Sequence, residues 1–295
     1  MSLIADPGGR PPPGLDVSTA HPARVWNYWL GGRDYFAADR AAGEQLNRDF
    51  PHLAQAARAE RAFLVRAVRF LAGPAKIRQF LDVGAGLPAG GNTHEIAQRI
   101  APETGIVYAD NDPAVLVHAR DLLQNPVLAS TPEGVVSYVD ADLRDVTAVL
   151  AGSARTLDLG RPVALIMLGV LGHIEDHGAA RSIASQLMDA LPSGSYLAIA
   201  DGVAGREPVD RAQQRYHDAV PVPYHLRRPD QLASFFDGLD LIEPGVVPCA
   251  RWKPDTPDTP PDTPPDTPDT PTTPDVPDAP GAGEPPVYCG VARKR

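Results

Sequence analysis

The chain has 295 residues, 43% of them hydrophobic and 22% charged, with a formal net charge of −10, which is apolar material enough for a buried core and excludes a wholly disordered chain. Eight of the 37 acidic residues and none of the 27 basic ones fall within 254–286, so the rest is near −2 and offers no broad basic face for sequence-independent nucleic-acid binding. Two cysteines (Cys249, Cys289) are too few for a disulfide framework, residues 1–15 hold no apolar stretch of signal-peptide length, and the most apolar run, Val163 to Leu171, is far short of a membrane span, so we expect a cytoplasmic protein with reduced thiols.

Residues 1–15 are Pro- and Gly-rich and would bury little on ordering, so a disordered N-terminus is expected. From Asp16 to Ala72 the pattern is helical. Arg24 to Leu30 offers apolar Val25, Trp26 and Trp29 and is stopped by Gly31-Gly32; a second helix is read over Ala37 to Asn47; Ala54 to Leu71 spaces Ala57, Phe63, Leu64, Ala67, Val68 and Leu71 as one helical face.

Beyond Ala72, short β-rich runs alternate with amphipathic stretches. Strands are read at Ile77 to Val83, Gly105 to Ala109, Val135 to Val139, Val163 to Leu168 and Tyr196 to Ala200. Helices are read between them at Asn92 to Ile100, Pro113 to Leu123, Val146 to Leu150 and Ala179 to Leu191. That alternation predicts an α/β fold with a parallel sheet covered by helices on both faces. Helices at Asp210 to Val220 and Pro229 to Phe236 then lead into a β-like run, Leu239 to Trp252. The Asp-Thr-Pro repeat that follows lacks amide donors at each Pro and reads as an extended, disordered insertion over 254–286, because Val287 to Ala292 is again strand-like.

The chemistry-bearing residues sit at strand ends. The first strand closes in Asp82, Gly84, Ala85 and Gly86, where glycines let a ligand approach backbone amides. Gly84-Ala85-Gly86-Leu87-Pro88-Ala89 also fits the dinucleotide fingerprint with Ala in third place, so NAD competes as the ligand. Asp110, Asn111 and Asp112 close the second strand, at a spacing suited to an acid that accepts both ribose hydroxyls. Asp142 and Leu143 follow the third, where a carboxylate could meet the amino group of adenine. Leu168 and Gly169 close the fourth, and His173 lies just beyond. Each acid alone would be an ordinary helix cap; several in register along one sheet edge favour a bound nucleoside.

At these residues the chain resembles the class I S-adenosylmethionine-dependent methyltransferases. It is more closely similar to a bacterial family of predicted methyltransferases, long catalogued as a domain of unknown function. The resemblance rests on His21 to Phe36 (HPARVWNYWLGGRDYF), Arg61 to Leu64, Gln79 to Pro88 and Val107 to Pro113. It runs from about Asp16 to Trp252 and resumes at Tyr288, with two departures: Pro88 replaces a third glycine, and Glu60 stands where Asn is expected. The resemblance implies a Rossmann-like, mostly parallel seven-strand sheet whose last strand inserts antiparallel beside the sixth. It also implies that 16–72 is a helical cap over an S-adenosylmethionine-binding core formed by 73–253 and 287–295. Within the cap, Tyr28, Gly32, Asp34 and Arg61 are assigned to the cofactor, and Trp26 and Trp29 to packing.

Methyl transfer from a sulfonium needs an aligned nucleophile, sometimes a base, and no metal. His173 is the best-placed base. The other histidines show no zinc spacing, and neither a Gly-x-Ser-x-Gly elbow nor a P-loop occurs. The expected activity is methyl transfer to a small-molecule acceptor, with no nucleic-acid or membrane partner. A non-catalytic S-adenosylmethionine-binding module and an NAD-dependent oxidoreductase are the alternatives.

Overall fold

The computed structural model describes residues 15–50, 52–117, 134–204, 207–253 and 285–295. Among these residues, eight strands form one sheet: β1 (Gln79–Val83), β2 (Gly105–Asp110), β3 (Val136–Asp140), β4 (Ala164–Leu168), β5 (Tyr196–Gly202), β6 (Asp240–Leu241), β7 (Val247–Pro248) and β8 (Val287–Arg293). Their order is β3-β2-β1-β4-β5-β8-β6, with β7 also on β8. β1 to β5 run parallel, and β8 is antiparallel to β5 over seven residue pairs from Tyr196–Arg293 to Gly202–Val287.

Alternation along the strands builds two cores at once. Phe80, Ile106, Ile166 and Ala198 pack with Phe63, Leu71 and Trp252 on one face, whereas Leu81, Val107, Leu165 and Leu197 pack with Val149, Leu187 and Phe236 on the other. The first face is covered by α3 (His52–Ala72) and α4 (Thr93–Ile100), the second by α5 (Val146–Ser153), α6 (His177–Asp189) and the short α8 (Pro229–Ala233). Asp145 and Asp176 start α5 and α6 by accepting from the amides of Ala148 and Ala179.

The seven-strand expectation differs from the structure at one sheet position. The β-like run Leu239 to Trp252 is two two-residue strands and a 3-10 turn at Cys249–Arg251, since Pro244, Gly245 and Pro248 interrupt it; both strands lie along the same edge of β8. The inserted antiparallel strand is where the resemblance put it, between β5 and this broken edge. Of the helix read over Pro113 to Leu123, residues 113–117 are helical and the remainder lies outside the described residues, as do nearly all of 1–15 and 254–286.

A third cluster joins α1 (Pro22–Trp29), α2 (Ala37–Asp49), α3 and Val220, which follows α7 (Glu207–Ala219). A buried ion pair fixes its angle: Asp39, fully buried, accepts from Arg24 Nε at 2.9 Å, from the Phe36 amide at 2.8 Å and from the His21 amide at 2.9 Å. Three donors, from the start of α1 and from the residue before α2, thus converge on one carboxylate, which ties α1 to α2 over the carboxyl ends of the strands.

Candidate active site

A cavity of about 560 Å³ lies between the cap and the carboxyl ends of β1 to β5, within the roughly 300–1,000 Å³ usual for small-molecule sites. β1 and β4 are neighbours while the chain between them runs through β2 and β3, so the cavity straddles the point where strand order reverses. Open α/β sheets bind ligands there.

Gly84 and Gly86 have φ of +72° and +64°, so both need glycine. A Cβ on Gly84 would come within 2.3 Å of Val170, whereas the side of Gly86 is open, with no atom within 4 Å. That opening is a cradle where a ligand can lie against backbone. Asp82, below the turn, accepts from Thr93 Oγ1 at 2.6 Å, and burial pushes its carboxyl up to about 6.

Asp110 and Asp112 have separate tasks. Asp110 accepts from the Gly86 amide at 2.8 Å and the Asp112 amide at 2.9 Å, and burial raises its carboxyl above the ordinary range. Asp112 caps the helical segment at 113–117 through the Ala114 amide (2.9 Å) and meets His21 Nδ1 of the cap at 2.8 Å. Burial acts to raise the Asp112 carboxyl, and the contacts to His21 and Ala114 outweigh it, leaving it below the usual value. Asn111 Nδ2 donates to Asp142 at 3.1 Å, and Arg144 donates to both Asp142 oxygens, so this carboxylate is already engaged; Leu143 lies beside it on the wall.

Leu168, Gly169 and His173 form the β4 side of the cavity. His173 sits in a 3-10 turn over Leu171–His173, its Nδ1 2.8 Å from the Pro223 carbonyl and its ring edge-on to Tyr224 at 5.2 Å. A carbonyl only accepts, so Nδ1 carries the proton and Nε2 is left as the acceptor. Burial pushes His173 below its usual value, which keeps it neutral and basic at pH 7.

The cap residues divide differently from the sequence reading. Arg61 is on the wall, with Nε donating to the Gly90 carbonyl at 3.1 Å and Nη2 to the Ala89 carbonyl and Asn92 Oδ1, which clamps the segment after the glycine turn. Tyr28, Gly32 and Asp34 do not line the cavity; Trp26, Asn27 and Trp29 do. Tyr28 packs edge-on against Tyr35 at 5.1 Å. Asn27 takes the Asp34 amide on Oδ1 (2.9 Å) and donates Nδ2 to the Pro88 carbonyl (3.1 Å), and a Cβ on Gly32 would overlap Asn27 at 2.2 Å. Gly32 and Asp34 therefore touch the site through Asn27.

Several wall residues carried no expectation. Leu53, Tyr216, Val222 and Tyr224 make part of the wall apolar and aromatic. Beneath it, Asp201 is 1% exposed, accepts from Tyr224 Oη and the Gly202 amide, and lies 3.9 Å from Arg227 Nη1. Burial pushes its carboxyl up to about 7. Glu60 of α3 is a second buried carboxyl on the wall. Its signal was legible: an acid in the apolar stripe of Ala56, Phe63, Leu64 and Ala67. Among the described residues no cluster of three or more His, Cys, Asp or Glu could hold a metal, and no helix is long and apolar enough to cross a membrane.

A family model described as S-adenosyl methyltransferase matches residues 9–295. A solved DUF574 family protein from Streptomyces avermitilis MA-4680 is 40% identical, with 95% of this chain and 99% of that one covered at a TM-score of 0.81. A candidate methyltransferase from Thermobifida fusca YX is 37% identical, with 97% and 98% covered at 0.79. The magnesium protoporphyrin IX methyltransferase of Synechocystis PCC 6803, solved with S-adenosylhomocysteine, shares the fold at a TM-score of 0.51 and 10% identity, over 92% of this chain and 93% of that one. No curated protein matches the chain.

Proposed function

The chain belongs to the S-adenosyl methyltransferase family, and from that premise we propose that it methylates a small molecule seated between His173, Tyr216 and Tyr224. The family's cofactor is S-adenosylmethionine, which sets the nicotinamide reading aside. The residues fit it: the open cradle at Gly86 admits a ligand against the backbone, and Asp110, half-buried beside it, is an acceptor for ribose hydroxyls. Leu143 and the neighbouring amides are the adenine wall, and Gly84, Leu168 and Gly169 border the amino-acid end.

When bound, S-adenosylmethionine supplies a methyl group on a positively charged sulfur, open to attack by an electron pair of the acceptor. The chain's part is to hold the acceptor in line and to exclude water, which together supply much of the rate of such a displacement. Trp26 and Trp29 of α1 close the cavity from above. Nε2 of His173 accepts the proton that a hydroxyl or amine acceptor loses, while Nδ1–H stays on the Pro223 carbonyl and holds the ring.

The observation that carries this reading is one continuous cavity joining the glycine turn of β1 to an aromatic wall beside a neutral histidine. The enclosure by α1 and α7 favours a small molecule over a polymer. The buried, unpaired thiols of Cys249 and Cys289 support a reducing, cytoplasmic site of action. Incubation with methyl-labelled S-adenosylmethionine and a small-molecule cell extract tests it. Label should enter one extractable compound, and His173→Asn should suppress the transfer. Tight cofactor binding with no transfer to any fraction would leave a non-catalytic binding protein instead.

A further inference from the structure

Glu60 is 5% exposed, and among the described residues its Oε2 has neither solvent contact nor a hydrogen-bond partner. A carboxyl in an apolar helix stripe is costly without a partner, on the order of several kcal/mol if ionised alone. Yet Glu60 lines the cavity, and a Cβ on Gly169 would stand 3.0 Å from its Oε1, which puts the carboxyl against the end of β4 at the β1–β4 switch point.

The groups around it do not neutralise it. Asp201 at the end of β5 is a second carboxyl, and the thiol of Cys249, beside Cys289, lies behind it. The cation nearest in sequence, Arg61, directs Nε and Nη2 to the carbonyls of Ala89 and Gly90 and to Asn92. Asp201 has Arg227 Nη1 3.9 Å away, whereas among the described residues Glu60 on the cavity wall makes no ion pair.

A nucleoside whose ribose meets Asp110 on the β2 side of the switch point extends its other end toward β4. We propose that Glu60 is the receptor for the α-ammonium group at the methionyl end of the cofactor, an inference that rests on the S-adenosylmethionine reading above. Burial, reinforced by Asp201, pushes the Glu60 carboxyl well above its ordinary range and so favours its protonated form, with Arg61 opposing. The arriving ammonium reverses that balance. The carboxyl O–H bond breaks, its proton goes to solvent, the ammonium keeps its three, and a charge-assisted hydrogen bond forms between them.

Titration calorimetry of the full chain and of Glu60→Gln tests this, using S-adenosylhomocysteine and 5′-methylthioadenosine, which shares the adenosine and sulfur but lacks the amino-acid end. Each titration is run near pH 7 in two buffers of different ionisation enthalpy. The wild-type chain should release protons with S-adenosylhomocysteine and none with 5′-methylthioadenosine. Glu60→Gln should release none, bind S-adenosylhomocysteine about 10- to 100-fold more weakly, and bind 5′-methylthioadenosine unchanged. Its melting temperature should not fall, and Glu60→Ala provides the same comparison should Gln fail to fold. Equal affinity of wild type and variant for S-adenosylhomocysteine overturns the proposal, as does an equal loss for both ligands. If the wild-type chain binds neither ligand, the cofactor reading has failed and the proposal falls with it.

Discussion

Asp110 and Asp112 lie two residues apart at the end of one strand, and their alanine variants should fail in opposite ways. Asp112→Ala removes the cap of the segment at 113–117, worth about 1 kcal/mol, and strands His21 of the cap, whose 2.8 Å partner is lost, for roughly another 1–2 kcal/mol. At about 2–4 °C per kcal/mol for a domain of this size, the melting temperature should drop by about 4–12 °C. Asp110→Ala deletes an acceptor for the Gly86 and Asp112 amides but also removes a carboxyl that burial already disfavours in its ionised form. Its stability should change by about 1 kcal/mol or less, while affinity for S-adenosylhomocysteine falls by about 1–3 kcal/mol, the loss of a charged hydrogen bond. Thermal melts and calorimetry on the two variants provide the four numbers needed. A larger affinity loss in Asp112→Ala than in Asp110→Ala, with its melting temperature unmoved, would refute the division of labour and return the ribose to Asp112.

The pH dependence of stability has a definite sign. Asp201 and Asp82 are raised from 3.8 to about 7 and about 6, so the folded state holds their protons more tightly than the unfolded chain does. Their contribution is full below about pH 4 and is lost as pH rises through those values. Stability should therefore fall between pH 5.5 and 8, by about 2 kcal/mol for Asp201 alone, lowering the melting temperature, and Asp201→Asn should flatten the fall; a rise over that window, or an unchanged slope in the variant, contradicts the assignment. Replacing residues 254–284 with a short Gly/Ser linker should leave the melting temperature and cofactor affinity intact, since loop length costs only about 0.6 kcal/mol per doubling, whereas ending the chain at Lys253 should abolish soluble folded protein; similar behaviour of the two on a sizing column and in a melt would contradict the placement of β8. His173→Asn should lower methyl transfer by about 10²-fold or more with S-adenosylhomocysteine affinity unchanged in calorimetry, and a parallel loss of affinity would make His173 a packing residue.

The sheet was legible because its signals are local. Val163 to Leu168 is a continuous apolar run and became a central strand buried on both faces, and Gly84 and Gly86 announce a turn that only glycine can make. The run Leu239 to Trp252 misled because its apolar residues outvoted Pro244, Gly245 and Pro248, which cut it into two short strands. In the cap, periodicity says which residues of α1 are apolar but not which neighbour they face. Tyr28 turned to Tyr35, while Trp29 packs in the cap core as expected, with Trp26 against that core, and both also border the cavity. Gly31-Gly32 did mark a close approach, to the Asn27 side chain rather than to a ligand. Asp201 and Arg227 were missed for a different reason: they meet only once β5 and the segment after α7 are folded together, and nothing in their spacing predicts that.

The position of β8 has a consequence for how this chain is made. β5 is complete when Gly202 leaves the ribosome, and its partners on one side, β4 and then β1, have already been synthesised. Its other edge carries a row of open amides and carbonyls that only Val287–Arg293 fills, seven residues encoded more than eighty positions later. Through that interval the nascent sheet is open at an apolar strand, and the intervening acidic, proline-rich stretch has few free amides and ill suits that edge. An edge in that state attracts other chains. Slow translation through the repeat should lengthen the exposure, so the yield of folded protein should depend on elongation speed as well as on the stability of the finished sheet.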